Sequence, residues 1–279
     1  MAAMKYVAVV GMVVVAIVAF AVGLFASPLV FPPAKGDTIW DNVIERGTIR
    51  VGSSPDWPPY ESLNTTTGEF IGFEVELIET IADKLDLTVE WTEMGFDLII
   101  PEIKKGATAT IDLGISGFSV REDRLAEVQF TMYHSITEGQ MIMLKSRRDS
   151  LDITEIDSLE DLVDLSLTCG AQEGTTQQQE LNEKASGALR TYPDYIAALA
   201  ELDRGAIDSI YAETPITTEW IYNAEGTAKP LVVIYRRAYY PVAFVANKDA
   251  HTLVEKINSV LAEMIGNGEV DALKRKWRC

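Results

Sequence analysis

Arg124 closes the decapeptide I-S-G-F-S-V-R-E-D-R at residues 115–124, and its setting makes it a candidate carboxylate clamp. Residues 111–115, I-D-L-G-I, form a short apolar run with one acid and one glycine, the pattern of a strand buried on both faces of a parallel sheet. Ser116, Gly117 and Ser119 follow as hydroxyls and closely approachable backbone, beyond the carboxyl end of that strand, where open α/β sheets bind ligands. A guanidinium one turn further on can hold a carboxylate through two parallel hydrogen bonds. The same ten residues also admit a solvated arginine paired with Glu122 or Asp123. A second candidate is Trp57, in the proline-stiffened stretch S-S-P-D-W-P-P-Y-E at residues 53–61. Prolines hold that backbone out of helix and sheet ladders, so the ring can wall a ligand as well as fill a core.

The elements that must carry these groups follow in order. Residues 40–44 suggest a short helix and residues 48–52 a first strand ending at glycine. N-T-T-T-G at 64–68 is a hairpin turn and also contains a glycosylation sequon at Asn64. Leu77, Ile78, Ile81, Ala82 and Leu85 share one helical face. Residues 87–91 read as a strand, and residues 96–105 as a helix that starts with Phe96 at the strand-end face. Further on, residues 135–144 read as a long strand, and Ser158 with Asp161 has capping-box spacing. Residues 165–169 read as a strand, Gly174-Thr175-Thr176 as a loop at a helix start, and residues 194–204 as an amphipathic helix. The strand at 207–211 delivers Glu213 at its carboxyl end, and residues 253–277 have helical apolar spacing.

The formal net charge of −18 argues against nucleic-acid binding, which needs clustered lysines and arginines. No charged residue occurs between Tyr6 and Ala34, and residues 7–26 are 20 consecutive apolar or glycine positions, long enough to cross a bilayer as a helix. Lys5 and the amino terminus keep the short end inside, so the remainder is exported. A cleaved signal peptide is the rival, with Ala26-Ser27-Pro28 as its cleavage region and a longer apolar core than such peptides carry. No cysteine follows the apolar run, which excludes a lipobox. P-P-A-K-G at 32–36 is a linker, and the chain beyond it carries 42 acids against 22 bases. Cys169 reads as a small buried hydrophobe and Cys279 is terminal, with no geometric support for a disulfide between them. His134 and His251 are too isolated for a metal site, and no metal or cofactor is expected.

The ordered set I-R-V-G, P-D-W-P-P-Y-E, G-E-F-I-G-F-E-V-E-L, F-D-L-I-I-P, I-S-G-F-S-V-R-E-D-R and G-T-T resembles the polar amino-acid-binding proteins of ABC importers, the family-3 extracytoplasmic solute-binding proteins, over about residues 44–279. The resemblance implies an α/β, two-lobed periplasmic-binding-protein fold with two crossover hinge strands, here preceded by one N-terminal transmembrane helix. Its parts are an anchor and linker at 1–36, lobe one at 37–137, lobe two at 138–240, and a return to lobe one at 241–279. It also implies roles. Arg124, with the amides of Ser119 and Thr176, grips the ligand carboxylate. Glu213, the Gly117 carbonyl and the Ser119 hydroxyl accept from the ligand ammonium. Trp57 and Phe96 enclose the ligand side chain, with Gln172 and Ser54 at its far end. Most importer proteins of the family carry Asp where Glu213 stands, and relatives for basic amino acids carry an acid where Ser54 stands, which favours a neutral or polar ligand.

Three functions are therefore compared. The first is a monomeric, extracytoplasmic amino-acid-binding protein, anchored at the membrane, that serves an ABC permease and performs no catalysis. The second is an enzyme on the same scaffold, similar to periplasmic cyclohexadienyl dehydratases, with Glu173 and Glu213 as acids. The third is a sensor subunit, for which this chain offers no place for a cytoplasmic output domain.

Overall fold

The computed structural model describes residues 38–222 and 230–279. The apolar segment at 7–26 and the linker at 32–36 lie outside the described residues. Among the described residues, no helix is long and apolar enough to cross a membrane.

Two five-stranded sheets organise the rest, one in each lobe. The first runs Thr88–Glu93, Thr48–Ser53, Leu113–Gly114, Val245–Ala246, Gln129–Phe130, and its first three strands are parallel. The second runs Leu189–Tyr192, Cys169–Gln172, Ser209–Glu213, Ser135–Leu144, Leu231–Val242. The chain leaves the first sheet at Phe130, joins the second at Ser135, and returns from Val242 to Val245. Strands Ser135–Leu144 and Leu231–Val242 pair antiparallel along their whole length, from Ser135 opposite Val242 to Leu144 opposite Leu231, with two register shifts between.

Apolar periodicity explains the helices that cover the sheets. Phe73–Lys84 buries Phe73, Leu77, Ile78 and Ile81, and His251–Gly266 buries Leu253, Val254, Ile257 and Leu261. The hairpin at 64–68 forms because the Asn64 side chain accepts from the amides of Thr66 (2.9 Å) and Thr67 (3.2 Å), an Asx-type turn. A single buried cluster runs from Val43, Ile49 and Val51 through Trp57 and Tyr60 to Tyr195, Leu199 and Trp220, so the two lobes are closed on each other.

Several boundaries differ from the sequence reading, for local reasons. The strand expected at 165–169 lies instead at Cys169–Gln172, because Leu165 ends the short helix Asp161–Asp164 and Ser166 turns the chain through a left-handed φ of 54°. The strand expected at 207–211 shifts to Ser209–Glu213, which makes Glu213 its last residue. Only half of the capping box forms: Asp161 accepts from the amides of Asp157 and Ser158, both at 2.9 Å, and the Ser158 hydroxyl caps nothing. The final segment is two helices, His251–Gly266 and Glu269–Trp277.

Candidate functional site

The loop after Leu113–Gly114 and the first turn of helix Glu122–Glu127 place Arg124 in the cleft. Its side chain is almost wholly buried, and its guanidinium lies over the rings of Phe96 and Phe118, 5.5 and 5.4 Å from their centroids. These rings are themselves stacked at 4.7 Å, a platform that fixes the plane of the fork. Nη1 donates to the Ser119 carbonyl and Nη2 to the Gly174 carbonyl of the other lobe, each at 3.0 Å. Each terminal nitrogen carries a second hydrogen, which leaves a donor pair for an incoming carboxylate. Burial, and next the Arg121 charge, pull the Arg124 pKa down to about 10, so it stays cationic at neutral pH.

Facing it, helix Thr176–Lys184 starts at the cavity. Thr175 caps it by accepting from the Gln178 amide at 3.2 Å and donates its own hydroxyl proton to the Gln172 carbonyl at 2.6 Å. Thr176 is the first helical residue, where amides lack intrahelical acceptors, and its buried hydroxyl has no partner among the described residues.

Glu213 supplies the opposite charge. Its Oε1 accepts from the Ser119 hydroxyl across the cleft at 2.9 Å and from Gln177 Nε2 at 3.0 Å, and its Oε2 accepts from the Thr137 hydroxyl. Burial raises its pKa, while these three donors and then Arg124 oppose that rise. The Ser119 proton is thus committed to Glu213, and only the hydroxyl lone pairs remain to meet an ammonium.

The same cavity is lined by two acids that the sequence did not single out, Asp56 and Glu61. Asp56 Oδ1 accepts from the Ser54 hydroxyl at 2.8 Å. Oδ2 accepts across the cleft from Gln172 Nε2 at 2.9 Å and from the Tyr195 amide at 3.0 Å. The carboxylate therefore sits at the positive end of helix Tyr195–Arg204. Burial nevertheless raises its pKa. These groups line one narrow cavity, shut down by the closed lobes.

Eight of the nine residues expected from the sequence border this one cavity: Arg124, Ser119, Thr176, Glu213, Gly117, Trp57, Phe96 and Gln172. Ser54 does not. It is spent on orienting Asp56 and borders a neighbouring hollow instead. Glu173, the second acid of the enzymatic alternative, is exposed and does not line the cavity. Thr175, Gln177 and Tyr195 also border it; Thr175 and Gln177 were hidden within T-T-Q-Q-Q, where nothing but the helix start distinguishes them. Both cysteines are free, with Cys169 buried and Cys279 exposed.

Gly117 fixes how closely Trp57 can approach. Its φ is +60°, and a Cβ built there would lie 2.2 Å from Trp57 Cζ3. Gly117→Ala is therefore expected to cost about 1–3 kcal/mol from strain and displacement of the ring, seen as a lower melting temperature together with weaker ligand binding. Unchanged melting and affinity would show that Trp57 is not held by this contact.

Two lobes closed over a cleft, with a buried arginine on one lobe and a buried carboxylate, Glu213, facing it from the other, define a protein that binds a small solute. The chain belongs to the bacterial extracellular solute-binding proteins, family 3, whose model matches residues 49–278. It is similar to the arginine-binding extracellular protein ArtP of Bacillus subtilis, 28% identical over 231 residues, covering 81% of this chain and 84% of ArtP. Among solved structures it is similar to an ancestral arginine-binding protein bound to arginine, with TM-score 0.73 and 28% identity over 83% of this chain and 98% of that one. It is also similar to an ancestral amino acid-binding protein described as a precursor of cyclohexadienyl dehydratase, with TM-score 0.75 and 26% identity over 85% of this chain and 98% of that one.

Proposed function

We propose that this protein captures an amino acid with a cationic side chain between its lobes, outside the cytoplasm, and delivers it to an ABC permease while tethered through residues 7–26. The observation that carries this reading is the set of charges lining one cavity: Arg124 for the ligand carboxylate, Glu213 for its ammonium, and two further buried acids, Asp56 and Glu61, for a cation on its side chain. The neutral or polar ligand expected from Ser54 gives way because the acid stands two residues later, at Asp56, with Ser54 orienting it. The arginine-binding names of similar proteins point the same way. Glu173, the second acid named for a dehydratase-like reaction, is exposed and does not line the cavity.

The test is a thermal-shift screen of the full chain, purified in detergent, against the amino acids and their neutral or acidic analogues. Ligand at about 100 times its dissociation constant adds roughly 2.7 kcal/mol of stability, a readily measured rise in melting temperature. Arginine, lysine or histidine should give the largest shift. A shift produced by sugars or dicarboxylates and by no amino acid would overturn the reading.

A further inference from the structure

Glu213 is held by donors from three parts of the molecule. Ser119 reaches it from lobe one, and Gln177 from the helix that starts at the cavity; both serve Oε1. The third donor, Thr137, serves Oε2. It is the third residue of strand Ser135–Leu144, which carries the chain from one lobe into the other. Thr137 is buried to 1% exposure and does not border the cavity, so it acts on a ligand only through Glu213.

Sheet register sets the distance between them. Glu213 ends its strand opposite Gly139 of the antiparallel partner, and Thr137 lies two residues before Gly139, on the same face. Such diagonal neighbours are roughly 7–8 Å apart, a gap that only a long side chain crosses. The position directly opposite Thr137 would belong to Pro215, but by then the chain has turned into helix Thr214–Tyr222, which leaves the diagonal open. Glutamate therefore reaches the Thr137 hydroxyl, and aspartate, one methylene shorter, stops short of it.

The threonine is itself fixed. It pairs with Tyr240 of the return strand, and its hydroxyl lies 3.5 Å from the Tyr240 carbonyl, at that distance a far weaker acceptor than the carboxylate. The Tyr240 hydroxyl in turn donates to Glu180 on helix Thr176–Lys184 at 2.8 Å, as does that of Tyr211. One rung between the two crossover strands thus supports both Glu213 and the helix whose first residue is Thr176.

We propose that Thr137 is the positioning residue of the ammonium site: it draws Oε2 back against the crossover strand, so that Oε1 is the oxygen turned to the ligand, and it makes glutamate, not aspartate, the acid that fits here. This rests on the reading of Glu213 as the ammonium acceptor. The contact also seats the charge that meets the ligand on the strand that links the lobes.

Thr137→Val keeps the shape of the side chain and removes its hydroxyl. Calorimetric titration of the full chain in detergent reads the effect, with arginine and with 5-guanidinopentanoate, which is arginine without its α-amine. Thr137→Val should lose about tenfold or more in arginine affinity and less than about twofold for 5-guanidinopentanoate. Thr137→Ser, which restores the donor, should bind arginine as the wild type does. Glu213→Asp is already out of reach of Thr137, so adding Thr137→Val to it should cost nothing further. The pH profile gives a second readout. Burial raises the Glu213 pKa, and the Thr137 bond is the foremost effect opposing that rise. Without the bond the carboxylate takes up a proton at higher pH, so the pH below which arginine affinity falls should move upward in Thr137→Val. Arg124, Tyr195, Asp56 and Glu61, the charged or titratable groups that share the cavity with Glu213, are the same in both proteins.

Wild-type arginine affinity in Thr137→Val, or an equal loss for both ligands, would overturn the proposal and leave the proposed function standing. So would losses from Thr137→Val and Glu213→Asp that simply add. Failure of arginine, lysine and histidine all to bind the wild type would overturn both. Thr137→Ala removes the same donor, so a misfolded Thr137→Val cannot shield the proposal: Thr137→Ser binding arginine no better than Thr137→Ala rejects it.

Discussion

Arg124→Ala is expected to weaken amino-acid binding by roughly 30-fold to several-thousand-fold while the protein still folds. Removing one partner of a desolvated charge pair costs about 2–5 kcal/mol, and each 1.4 kcal/mol is a factor of ten. Arg124 is buried to 7% exposure, so the ligand carboxylate would face almost no compensating water. The loss has a second source. Arg124 Nη2 also bonds the Gly174 carbonyl across the cleft, so the variant closes less tightly even where it still meets ligand. The fold is expected to survive because, among the described residues, Arg124 makes no close ion pair and its hydrogen bonds go to backbone carbonyls. Calorimetry on a variant with an unchanged far-ultraviolet spectrum is the check, and near-wild-type affinity would remove the carboxylate clamp from the site.

Glu213→Gln is expected to cost at least about tenfold in affinity, because charge-assisted hydrogen bonds are roughly twice as strong as neutral ones. The substitution keeps the length of the side chain. Two of the three donors around Glu213 are the hydroxyls of Ser119 and Thr137, which can turn and accept from the new amide, so the site need not come apart. What changes is the charge opposite the ligand ammonium. The same ligand without its α-amine should therefore lose far less on the Gln substitution, and the two changes should be strongly non-additive. Simple additivity of the losses would show that Glu213 does not touch the ammonium. The pH dependence has a definite sign: burial raises the Glu213 pKa, so ammonium binding weakens as pH falls through the raised value and the carboxylate takes up a proton.

Much of this site was legible in the sequence, for a common reason. Arg124 and Thr176 stand in the first turn of a helix and Glu213 is the last residue of a strand, places where backbone geometry aims groups into a cleft. Trp57 was legible from the prolines around it. Asp56 was not, because its strand, Asp56–Trp57, is only two residues long and shows no period, so no pattern tells which of Ser54 and Asp56 borders the cavity. Glu61 was invisible for a deeper reason. An acid after Pro-Pro-Tyr reads as surface, and only the packing of the folded lobe around it buries it beside Glu74 and Asp56. The strands expected at 165–169 and 207–211 each began too early, the first because the left-handed turn at Ser166 has no signature in a serine.

The ladder between Ser135–Leu144 and Leu231–Val242 makes the second lobe an insert with a clean socket. Its two ends leave side by side, at Ser135 opposite Val242, one rung apart. Neighbouring Cα atoms at such a rung are about 5 Å apart, so an exchange of 135–242 for a relative's stretch would meet the host at two adjacent points, where Val120 N–H also donates to the Pro241 carbonyl. Arg124, Asp56, Glu61 and Trp57 would stay with the host, while Glu213, Thr176 and Gln172 would travel with the insert. The proposed site is thus divided into two halves, one with Arg124, Asp56 and Glu61 and the other with Glu213, that such an exchange would separate.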